Sequence, residues 1–366
     1  MNICIVHGGT ITSPSGGTDR VTAFCSGLAD WHDVSLVVPE FDSSLPSRLD
    51  DVDVVETPTS ESRIIEAFRL TKIAHQEANK RNALLQFEHS ILGGIGSMVG
   101  RRTYVLDMHD LAFSRFDHID SIAAPGLKSV VSLIEQLALK RADHVVVVSN
   151  TMRQIIHDRW NVPLADVSVI PNGYFPELVD SFTGVEEVPG RVSFLGTLHP
   201  KIDVQAIVNV ARLSVVDEVV IIGDGYERER LERLVDQCDL RALNVVGQLP
   251  DRKAFEIVAS SQVVINPQQQ SKLQRASCPV KFNYYAALGT PMVVSAGPDA
   301  ARSLTEQNAA VLIDSNQDFA TAVHQVLEDD RLRSRMKMNA RAAADDLTWS
   351  SRSKQLMQLY ESLGGR

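Results

Sequence analysis

The chain has 366 residues, of which 44% are hydrophobic and 6% aromatic, and its formal net charge is −10. This length exceeds one ordinary hydrophobic core and predicts two domains of comparable size. The acidic balance argues against nucleic-acid binding, which needs a basic stripe of phosphate-contacting Lys and Arg residues. The four cysteines lack metal-ligand spacing and are typical of the reduced thiols of a cytoplasmic protein: Cys4, Cys25, Cys238 and Cys278.

Targeting and membrane-spanning segments are not expected. The N-terminus has no basic segment followed by an apolar stretch, and no apolar run approaches the ~20 residues that a membrane span requires. We therefore expect a cytoplasmic protein. Peripheral contact with the inner face of a membrane stays open, because residues 91–102 and 121–128 mix apolar and basic side chains without forming a strongly basic amphipathic helix.

The first half of the chain alternates short β-branched runs with amphipathic segments. Residues 2–7 predict a strand, which is followed by the glycine pairs Gly8-Gly9 and Gly16-Gly17 and by a helix over residues 18–28. Glycine pairs after a first strand let backbone approach a ligand closely, and a helix N-terminus attracts negative charge. The spacing is not the dinucleotide fingerprint, and a loop that merely turns tightly is the alternative interpretation. Further strands are predicted at residues 34–38, 83–87, 103–108, 144–148 and 167–170, and helices at residues 61–81, 131–140 and 152–159.

The strand at residues 103–108 ends in His109-Asp110. Polar side chains at the carboxyl end of a parallel strand point towards bound ligands, and histidine is the side chain that titrates nearest neutrality. The alternative is structural: Asp110 caps a helix, and His109 packs beside it.

The second half restarts the same alternation after a loop-like segment. Residues 174–190 predict a linker, because they contain two prolines and two glycines and few apolar side chains. The predicted domains are therefore residues 1–173 and 191–345, with residues 346–366 as a C-terminal helix that packs on the first domain. Strands are predicted at residues 191–195, 218–222, 243–246 and 262–265, and helices at residues 203–213, 227–237, 252–259, 317–327, 330–346 and 350–363. Two such blocks predict an α/β protein with two doubly wound, Rossmann-like domains facing each other across a cleft.

Residues 263–294 are the predicted ligand-binding segment of the second domain. Two apolar runs flank a polar loop and a short helix that has Pro279 near its start and Gly289 just past its end. Ligands in parallel sheets lie where loops leave the carboxyl ends of strands, and the free N–H groups of a first helical turn favour an anion. Three cations stand in this loop and turn: Lys272, Arg275 and Lys281.

Several short patterns, in the right order, resemble the retaining glycosyltransferases of family 4 (glycosyl transferases group 1), which have two Rossmann-like domains in the GT-B arrangement. The patterns cover nearly the whole chain: residues 14–18, residues 107–111, Val147-Val148-Ser149 followed by residues 169–173, Gly223-Asp224-Gly225, and residues 279–294. The resemblance implies that the second domain holds a nucleotide-sugar donor and the first an acceptor, either a glycan or a lipid-linked one. It also implies that no metal or cofactor is needed.

The same resemblance implies roles for individual residues. Gly16 and Gly17 belong to the glycine-rich first loop, and His109 orients the sugar or the acceptor. Lys201 and Lys281 follow loops at the phosphate end of the second domain. Thr197 stands where the family often has an arginine. Arg275 or Lys272 is the candidate to supply the positive charge of that arginine, although such cations are also common on solvated surfaces.

Asn283 stands where the family usually has a glutamate that binds the ribose hydroxyls, and Arg275 stands where another acid is common. An amide still donates and accepts hydrogen bonds to a diol. We therefore predict a glycosyltransferase of the hexosyltransferase type that moves a sugar from a nucleotide diphosphate to an acceptor hydroxyl with retention, building a glycan, lipid-linked or cell-surface polysaccharide precursor. The alternatives are a nucleotide-sugar isomerase of the same fold and an inactive nucleotide-binding relative.

Overall fold

The computed structural model describes residues 1–12, 15–113, 124–182, 184–269, 272–295, 297–313 and 318–364. The chain divides into two compact units. Unit 1 comprises Met1–Gly173, Ala276–Cys278 and Trp349–Arg366, and unit 2 comprises Tyr174–Arg275 and Pro279–Thr348.

Unit 1 is built on a seven-stranded parallel sheet. Its strands are β1 Asn2–Val6, β2 Asp33–Pro39, β3 Asp53–Thr57, β4 Leu84–Glu88, β5 Val105–Met108, β6 His144–Val147 and β7 Val167–Val169. Its first five helices are α1 Gly16–Ala29, α2 Arg63–Arg81, α3 Ser90–Val99, α4 Ala124–Arg141 and α5 Asn150–Trp160. The strand order β3-β2-β1-β4-β5-β6-β7 reverses between β1 and β4, which is where doubly wound sheets bind ligands, beyond the carboxyl ends of the strands.

Unit 2 repeats this plan with six parallel strands in the order β10-β9-β8-β11-β12-β13. They are β8 Val188–Leu195, β9 Glu218–Ile222, β10 Leu243–Gly247, β11 Ser261–Asn266, β12 Met292–Ser295 and β13 Ala310–Ile313. The helices are α6 Val204–Ala211, α7 Arg228–Gln237, α8 Asp251–Ala259, α9 Lys272–Arg275, α10 Lys281–Leu288, α11 Asp299–Glu306, α12 Phe319–Glu328 and α13 Asp330–Ala344. The strand order reverses between β8 and β11. The predicted α/β class with two doubly wound Rossmann-like sheets is therefore confirmed.

Local signals in the sequence account for many of these boundaries. Ser149 caps α5 by accepting a hydrogen bond from the Met152 N–H at 3.0 Å, and Asp203 caps α6 by accepting one from the Ala206 N–H at 3.1 Å. Gly289 ends α10 with φ at 71°, a conformation that glycine adopts without the cost of a Cβ. The predicted strand, helix and strand over residues 263–294 are confirmed, with β11 and β12 paired in parallel.

Five of the described helices and strands were not predicted from the sequence: β3, β13, α3, α9 and α11. α3 contains Gly93, Gly94 and Gly96, which lower helix propensity. These glycines are required by packing, because a Cβ on Gly94 would lie 2.6 Å from the Ile134 carbonyl oxygen and one on Gly96 would lie 2.7 Å from the Phe87 ring. Tertiary contacts thus determine a helix that local propensity disfavours.

The segment predicted as a linker, residues 174–190, lies within unit 2. The Tyr174 N–H donates to the Leu347 carbonyl at 3.0 Å, and Val179 and Phe182 are buried in the apolar core of that unit. Two 3-10 turns, Pro176–Leu178 and Asp180–Phe182, space these apolar side chains. The segment has few apolar residues, and its composition therefore did not indicate that some of them pack in the core of unit 2.

The last helix, α14 Trp349–Gly364, packs on α1 within unit 1. The rings of Trp349 and Phe24 meet edge to face at 5.7 Å, and Ser353 Oγ donates to the Ala23 carbonyl at 3.2 Å. No helix among the described residues is both long and apolar enough to cross a membrane. All four cysteines are free thiols, and Cys238 is the exposed one.

The contact of α14 with α1 predicts a clash at Gly27. A Cβ there would overlap Ser353 Oγ and lie 2.6 Å from Ser353 Cβ. Gly27→Ala should therefore destabilise unit 1 by about 1–3 kcal/mol in urea unfolding, although alanine favours a helix, and Ser353→Gly in the same chain should recover the loss. Gly126→Ala in α4 is the control, because open space surrounds that position. Equal stability of the Gly27 and Gly126 variants would contradict this packing.

Candidate functional site

A fully buried ion pair lies behind the carboxyl end of the unit 1 sheet. Arg20 of α1 donates from Nε and Nη2 to both carboxylate oxygens of Asp107 in β5, each at 2.8 Å. Its Nη1 donates to Asn172 Oδ1 at 3.1 Å, and its guanidinium lies 4.6 Å from the centre of the Phe24 ring. Burial alone would lower the pKa of Arg20, but the facing Asp107 carboxylate raises that pKa above its usual value. The charged pair is therefore retained in the core.

This ion pair also orders the neighbouring turns. Asn172 donates from Nδ2 to the Cys278 carbonyl at 2.8 Å, and Ser149 Oγ donates to the Ala276 carbonyl at 2.7 Å. Both carbonyls belong to the short segment Ala276–Cys278, which clusters with unit 1. The patterns at residues 147–149 and 169–173 thus have a structural role in fixing this segment.

Three histidines follow three neighbouring strands of unit 1: His7 follows β1, His89 follows β4 and His109 follows β5. The rings of His89 and His109 are centred 5.9 Å apart. Burial, together with the charges of His109 and His89, lowers the pKa of His7 to about 4. Burial likewise lowers the pKa of His109, opposed in part by Asp110. Burial therefore favours the neutral form of His7 and His109.

The structure places Gly17 against His109, and Gly16 precedes Gly17 in the same turn. Both glycines lie in the first turn of α1, which Ser15 caps by accepting from the Thr18 N–H at 3.1 Å. A Cβ on Gly17 would lie 3.2 Å from His109 Nε2, so the backbone of the turn packs directly on the imidazole. Ser13 and Pro14, at the start of the predicted glycine-rich loop, lie outside the described residues.

Asp110 lies beside the second histidine. Its Oδ1 is 2.8 Å from His89 Nε2, and His89 Nδ1 accepts from the Ile91 N–H at 3.2 Å, which makes His89 the N-cap of α3. His89 holds φ at 88°, an uncommon conformation for a residue with a Cβ. The alternative of Asp110 as a helix cap stays a prediction, because residues 114–123 lie outside the described part of the chain.

Unit 2 has a cavity of about 260 Å³ at the carboxyl ends of β8, β9 and β10. Its lining includes Gly196 and Thr197 after β8, Gly223 after β9 and Leu249 after β10, with Phe255 of α8. Gly196 and Gly223 have φ at 142° and 139°, and a Cβ on Gly223 would lie 2.8 Å from the Gly196 carbonyl carbon. The two loops approach this closely because neither residue carries a side chain.

Lys281 borders the same glycine loop. Its Nζ would lie 2.9 Å from a Cβ on Gly196 and is 4.4 Å from the centre of the Phe194 ring. It makes no hydrogen bond or ion pair to any other described residue. Burial lowers the pKa of Lys281 to about 7. An unpaired ammonium next to a glycine turn is a suitable partner for a phosphate oxygen.

The other predicted residues of unit 2 are placed differently. The Lys201 carbonyl accepts from the Gln269 N–H at 2.8 Å, which ties its loop to the loop after β11. Arg275 is exposed at the end of α9, and Asn283 is only 3% exposed in α10. Their proposed contacts with a donor stay predictions. Among the described residues, no group of three or more His, Cys, Asp or Glu side chains is placed to hold a metal ion.

The sequence analysis did not single out several residues that follow the strands of unit 1 or line the unit 2 cavity. His7 and His89 stand at the ends of predicted strands, which is the same signal that singled out His109. Gln248 and Leu249 follow β10 and line the unit 2 cavity together with Asp251. Their position after a strand was visible in the sequence, but the closeness of the three loops depends on the sheet order.

Comparison with known proteins gives two family matches. Residues 14–178 match the family model described as Glycosyltransferase Family 4, and residues 186–343 match the one described as Glycosyl transferases group 1. The chain is 28% identical over 145 residues to a D-inositol 3-phosphate glycosyltransferase of Corynebacterium urealyticum, covering 38% of this chain and 33% of that protein. It is 28% identical over 222 residues to a phosphatidyl-myo-inositol mannosyltransferase of Mycolicibacterium smegmatis, covering 57% and 55%. The chain thus spans less than two thirds of the length of either relative.

Solved structures share the fold over the whole chain. The sucrose-phosphate synthase of Thermosynechococcus elongatus has a TM-score of 0.79 at 17% identity, covering 100% of this chain and 99% of that one. HepE of Anabaena in complex with UDP has a TM-score of 0.74 at 17% identity, covering 99% and 100%. WaaG, a glycosyltransferase of lipopolysaccharide biosynthesis, has a TM-score of 0.71 at 13% identity, covering 98% and 99%.

The buried Arg20–Asp107 pair predicts that replacing one partner lowers the free energy of unfolding more than replacing both. Arg20→Met leaves the Asp107 carboxylate buried without its partner and should destabilise unit 1 by about 3–5 kcal/mol in urea unfolding. Asp107→Leu added to that variant removes the unpaired charge and should recover most of the loss. Arg69→Met is the control, because its hydrogen bonds to the Pro58 and Thr59 carbonyls are solvent-exposed. If Arg20→Met costs no more than Arg69→Met, the pair does not stabilise the unit.

Proposed function

This chain belongs to the glycosyltransferases that join a Family 4 segment to a group 1 segment, and we propose that it transfers a sugar from a nucleotide-diphosphate sugar to an acceptor hydroxyl. The observation that carries the proposal is the pairing, in unit 2, of a cavity at three strand ends with an unpaired lysine beside its glycine loop. The cavity suits a nucleoside, and Lys281 suits its diphosphate. HepE, which shares the fold, binds UDP and UDP-glucose, so we propose a UDP-sugar as the donor.

We assign the diphosphate to Gly196, Gly223 and Lys281. Gly196 and Gly223 carry no side chains, so a phosphate could approach the backbone of their loops closely, and the first turn of α10 adds the favourable end of a helix dipole. A phosphate would stabilise the charged form of Lys281, whose pKa burial lowers to about 7. Lys201, Arg275 and Asn283 remain proposed contacts with the diphosphate and the ribose.

Retention of configuration is part of the proposal. Both described carboxylates near His109 are engaged, Asp107 by Arg20 and Asp110 beside His89, so neither suits a covalent sugar intermediate. We propose that the leaving diphosphate takes the acceptor proton on the face from which it departs, while cations and helix N-termini stabilise its charge. His109 orients the transferred sugar or the acceptor.

The acceptor is proposed to be a glycan or a lipid-linked molecule. Two relatives are named for inositol-containing acceptors, which makes a hydroxylated ring a reasonable first class to test. Exposed apolar side chains on α2 (Ile64, Ile65 and Phe68) and on α4 (Leu127, Val130 and Leu133) support contact with a lipid surface. Both helices pack on α3, and the exposed Lys72 and Arg101 supply positive charge on this otherwise acidic protein.

The donor proposal predicts proton-linked binding of UDP. At pH 8, Lys281 with its pKa of about 7 is mostly neutral, and a bound diphosphate would raise that pKa, so UDP binding should take up a proton. Calorimetry in two buffers of different ionisation enthalpy measures this uptake. Lys281→Met should weaken UDP about tenfold or more while leaving uridine binding unchanged, and Lys281→Arg should bind UDP without proton uptake.

Lys253→Met in α8 is the control, because Lys253 is exposed. A panel of UDP-, GDP-, dTDP- and ADP-sugars, incubated with and without acceptors, tests the reaction itself. Transfer to an acceptor supports the proposal. Epimerised sugar without an acceptor would identify an isomerase, and UDP binding without turnover across the panel would identify an inactive relative.

The lipid-surface proposal predicts binding to anionic vesicles. Phe68→Ser together with Ile64→Ser should reduce co-sedimentation with phosphatidylglycerol vesicles severalfold, since each fully buried large apolar side chain contributes about 1.5–3 kcal/mol. Met338→Ser in α13 is the control, because its side chain is as exposed as that of Ile64, each at 67%. Absence of binding by the unaltered protein at low salt would overturn this part of the proposal.

A further inference from the structure

A buried carboxylate, Glu135 of α4, lies outside the donor cavity and has no part in the transfer as proposed above. Its side chain is fully buried, and it accepts hydrogen bonds at both oxygens. Oε1 accepts from Ser90 Oγ at 3.0 Å and from the Ala112 N–H at 2.7 Å, and Oε2 accepts from the Phe113 N–H at 3.1 Å. No described cation pairs with this carboxylate, so three neutral donors stabilise its charge.

The three donors belong to two segments that carry histidines at strand ends. Ser90 is the first residue of α3 and follows His89, which caps that helix. Ala112 and Phe113 close the segment that begins with His109 after the end of β5. One carboxylate therefore joins the segments of both histidines.

Glycines in α3 bring Glu135 within reach of both segments. A Cβ on Gly94 would lie 2.6 Å from the Ile134 carbonyl oxygen, and one on Gly93 would lie 3.3 Å from Ala138 Cβ. The backbones of α3 and α4 approach this closely because these α3 residues carry no side chains. Glu135 follows Ile134 in the chain, and the close packing of the two helices places its carboxylate beside the segments that follow β4 and β5.

The neighbours of Glu135 require an ionised carboxylate. The N–H groups of Ala112 and Phe113 can only donate, and a carboxylate accepts at both oxygens. An amide of the same shape would direct its own N–H at one of these donors, and an apolar side chain would leave all three donors unpaired. Burial raises the pKa of Glu135, and the hydrogen bonds from its three donors oppose that rise because they favour the charged form.

The relative position of the two histidines depends on the segments that Glu135 joins. Their rings are centred 5.9 Å apart, and Asp110 Oδ1 lies 2.8 Å from His89 Nε2. His109 also packs on the backbone of Gly17 in α1. Movement of either segment would change these contacts, and a misplacement of about 1 Å at a reacting group can cost about a hundredfold in rate.

We propose that Glu135 is a positioning residue of the transfer reaction. It holds the His109 segment against the His89 segment, so that His109 meets the transferred sugar or the acceptor in a reactive orientation. Glu135 acts through these two segments and does not itself touch a substrate. The inference rests on the proposed function, because it concerns the geometry of the residue assigned to the reacting end.

Imidazole NMR signals of the whole protein test the positioning without any substrate. The signals of His89 and His109 are assigned with the variants His89→Phe and His109→Phe, and His144 at the amino end of β6 is the internal reference. Glu135→Gln keeps the size of the side chain and should shift the signals of both His89 and His109, while that of His144 stays unchanged. Unchanged signals of His89 and His109 would overturn the proposal.

Ser90→Ala is a second variant, which keeps the proposal testable if Glu135→Gln does not fold. It removes one of the three donors and should shift the His109 signal, although Ser90 and His109 are not adjacent in the chain. Ser97→Ala is the matched control in the same helix, because Ser97 Oγ donates to the Gly94 carbonyl at 2.7 Å and not to Glu135. Equal positions of the His109 signal in both serine variants would contradict the proposal.

Kinetics provide the second measurement. Glu135→Gln should lower kcat about tenfold or more while the donor KM stays within about twofold, because the proposed donor site lies in unit 2. Gly27→Ala is the control for lost stability, since it disturbs unit 1 at the contact of α1 with α14, and it should leave the kcat of the folded protein within about twofold. An equal loss of kcat in both variants would indicate a merely structural role for Glu135 and overturn the proposal.

The two measurements separate this inference from the proposed function. Shifted signals of both histidines in a protein that transfers no sugar would support the positioning by Glu135 and overturn the transfer. Sugar transfer with an unchanged kcat in Glu135→Gln and Ser90→Ala would overturn the positioning and support the transfer.

Discussion

The buried bidentate pair of Arg20 and Asp107 is the interaction on which unit 1 depends. It joins α1, whose first turn carries Gly16 and Gly17, to β5, which ends at Met108 immediately before His109. Both groups have no exposed side-chain surface, so the two charges compensate each other, and Asn172 and the Phe24 ring also contact the guanidinium. Because breaking a buried pair leaves an uncompensated charge, this contact fixes the glycine turn against the imidazole more firmly than apolar packing alone would.

A second buried carboxyl extends this polar core. Burial and the neighbouring Asp107 charge raise the pKa of Glu88 well above its usual range, and the Gln86 amide donates to Glu88 Oε1 at 2.5 Å. Tyr360 of α14 is also fully buried near these groups, and burial raises the pKa of its hydroxyl. The C-terminal helix therefore closes one side of the polar core that supports the carboxyl ends of β4 and β5.

The two units have similar strand topology but different side chains at the carboxyl ends of their strands. In unit 2, glycines at the ends of β8 and β9 let two loops approach closely, and one lysine supplies positive charge beside them. Lys281 lies over the Phe194 ring and makes no ion pair with a described carboxylate, so a ligand can pair with its ammonium. In unit 1, the imidazoles of His7, His89 and His109 follow the corresponding strand ends.

Short-range patterns in the sequence were sufficient for most helices and strands, because caps, glycine stops and β-branched runs act within a few residues. Ser149, Asp203 and Gly289 stand where their local chemistry predicts. Short-range patterns did not predict α3, where three glycines are needed for packing. They also did not predict β3, whose Asp53 and Glu56 carry charge at the edge of the sheet. Residues 174–190, which were predicted as a linker, cluster with unit 2, and Val179 and Phe182 are buried there.

The sequence by itself determined the α/β class, the two-part plan and the position of His109 after a strand, since these follow from periodicity and from residues adjacent in the chain. Only the tertiary structure decided that His7, His89 and His109 come together, that Arg20 pairs with Asp107, and that Lys281 borders Gly196. The physical reason is that these contacts join residues far apart in sequence, as with the 87 positions between Arg20 and Asp107, and depend on the order of strands in the sheet. Local periodicity carries no information on that order, which is set by the packing of helices on both faces of each sheet.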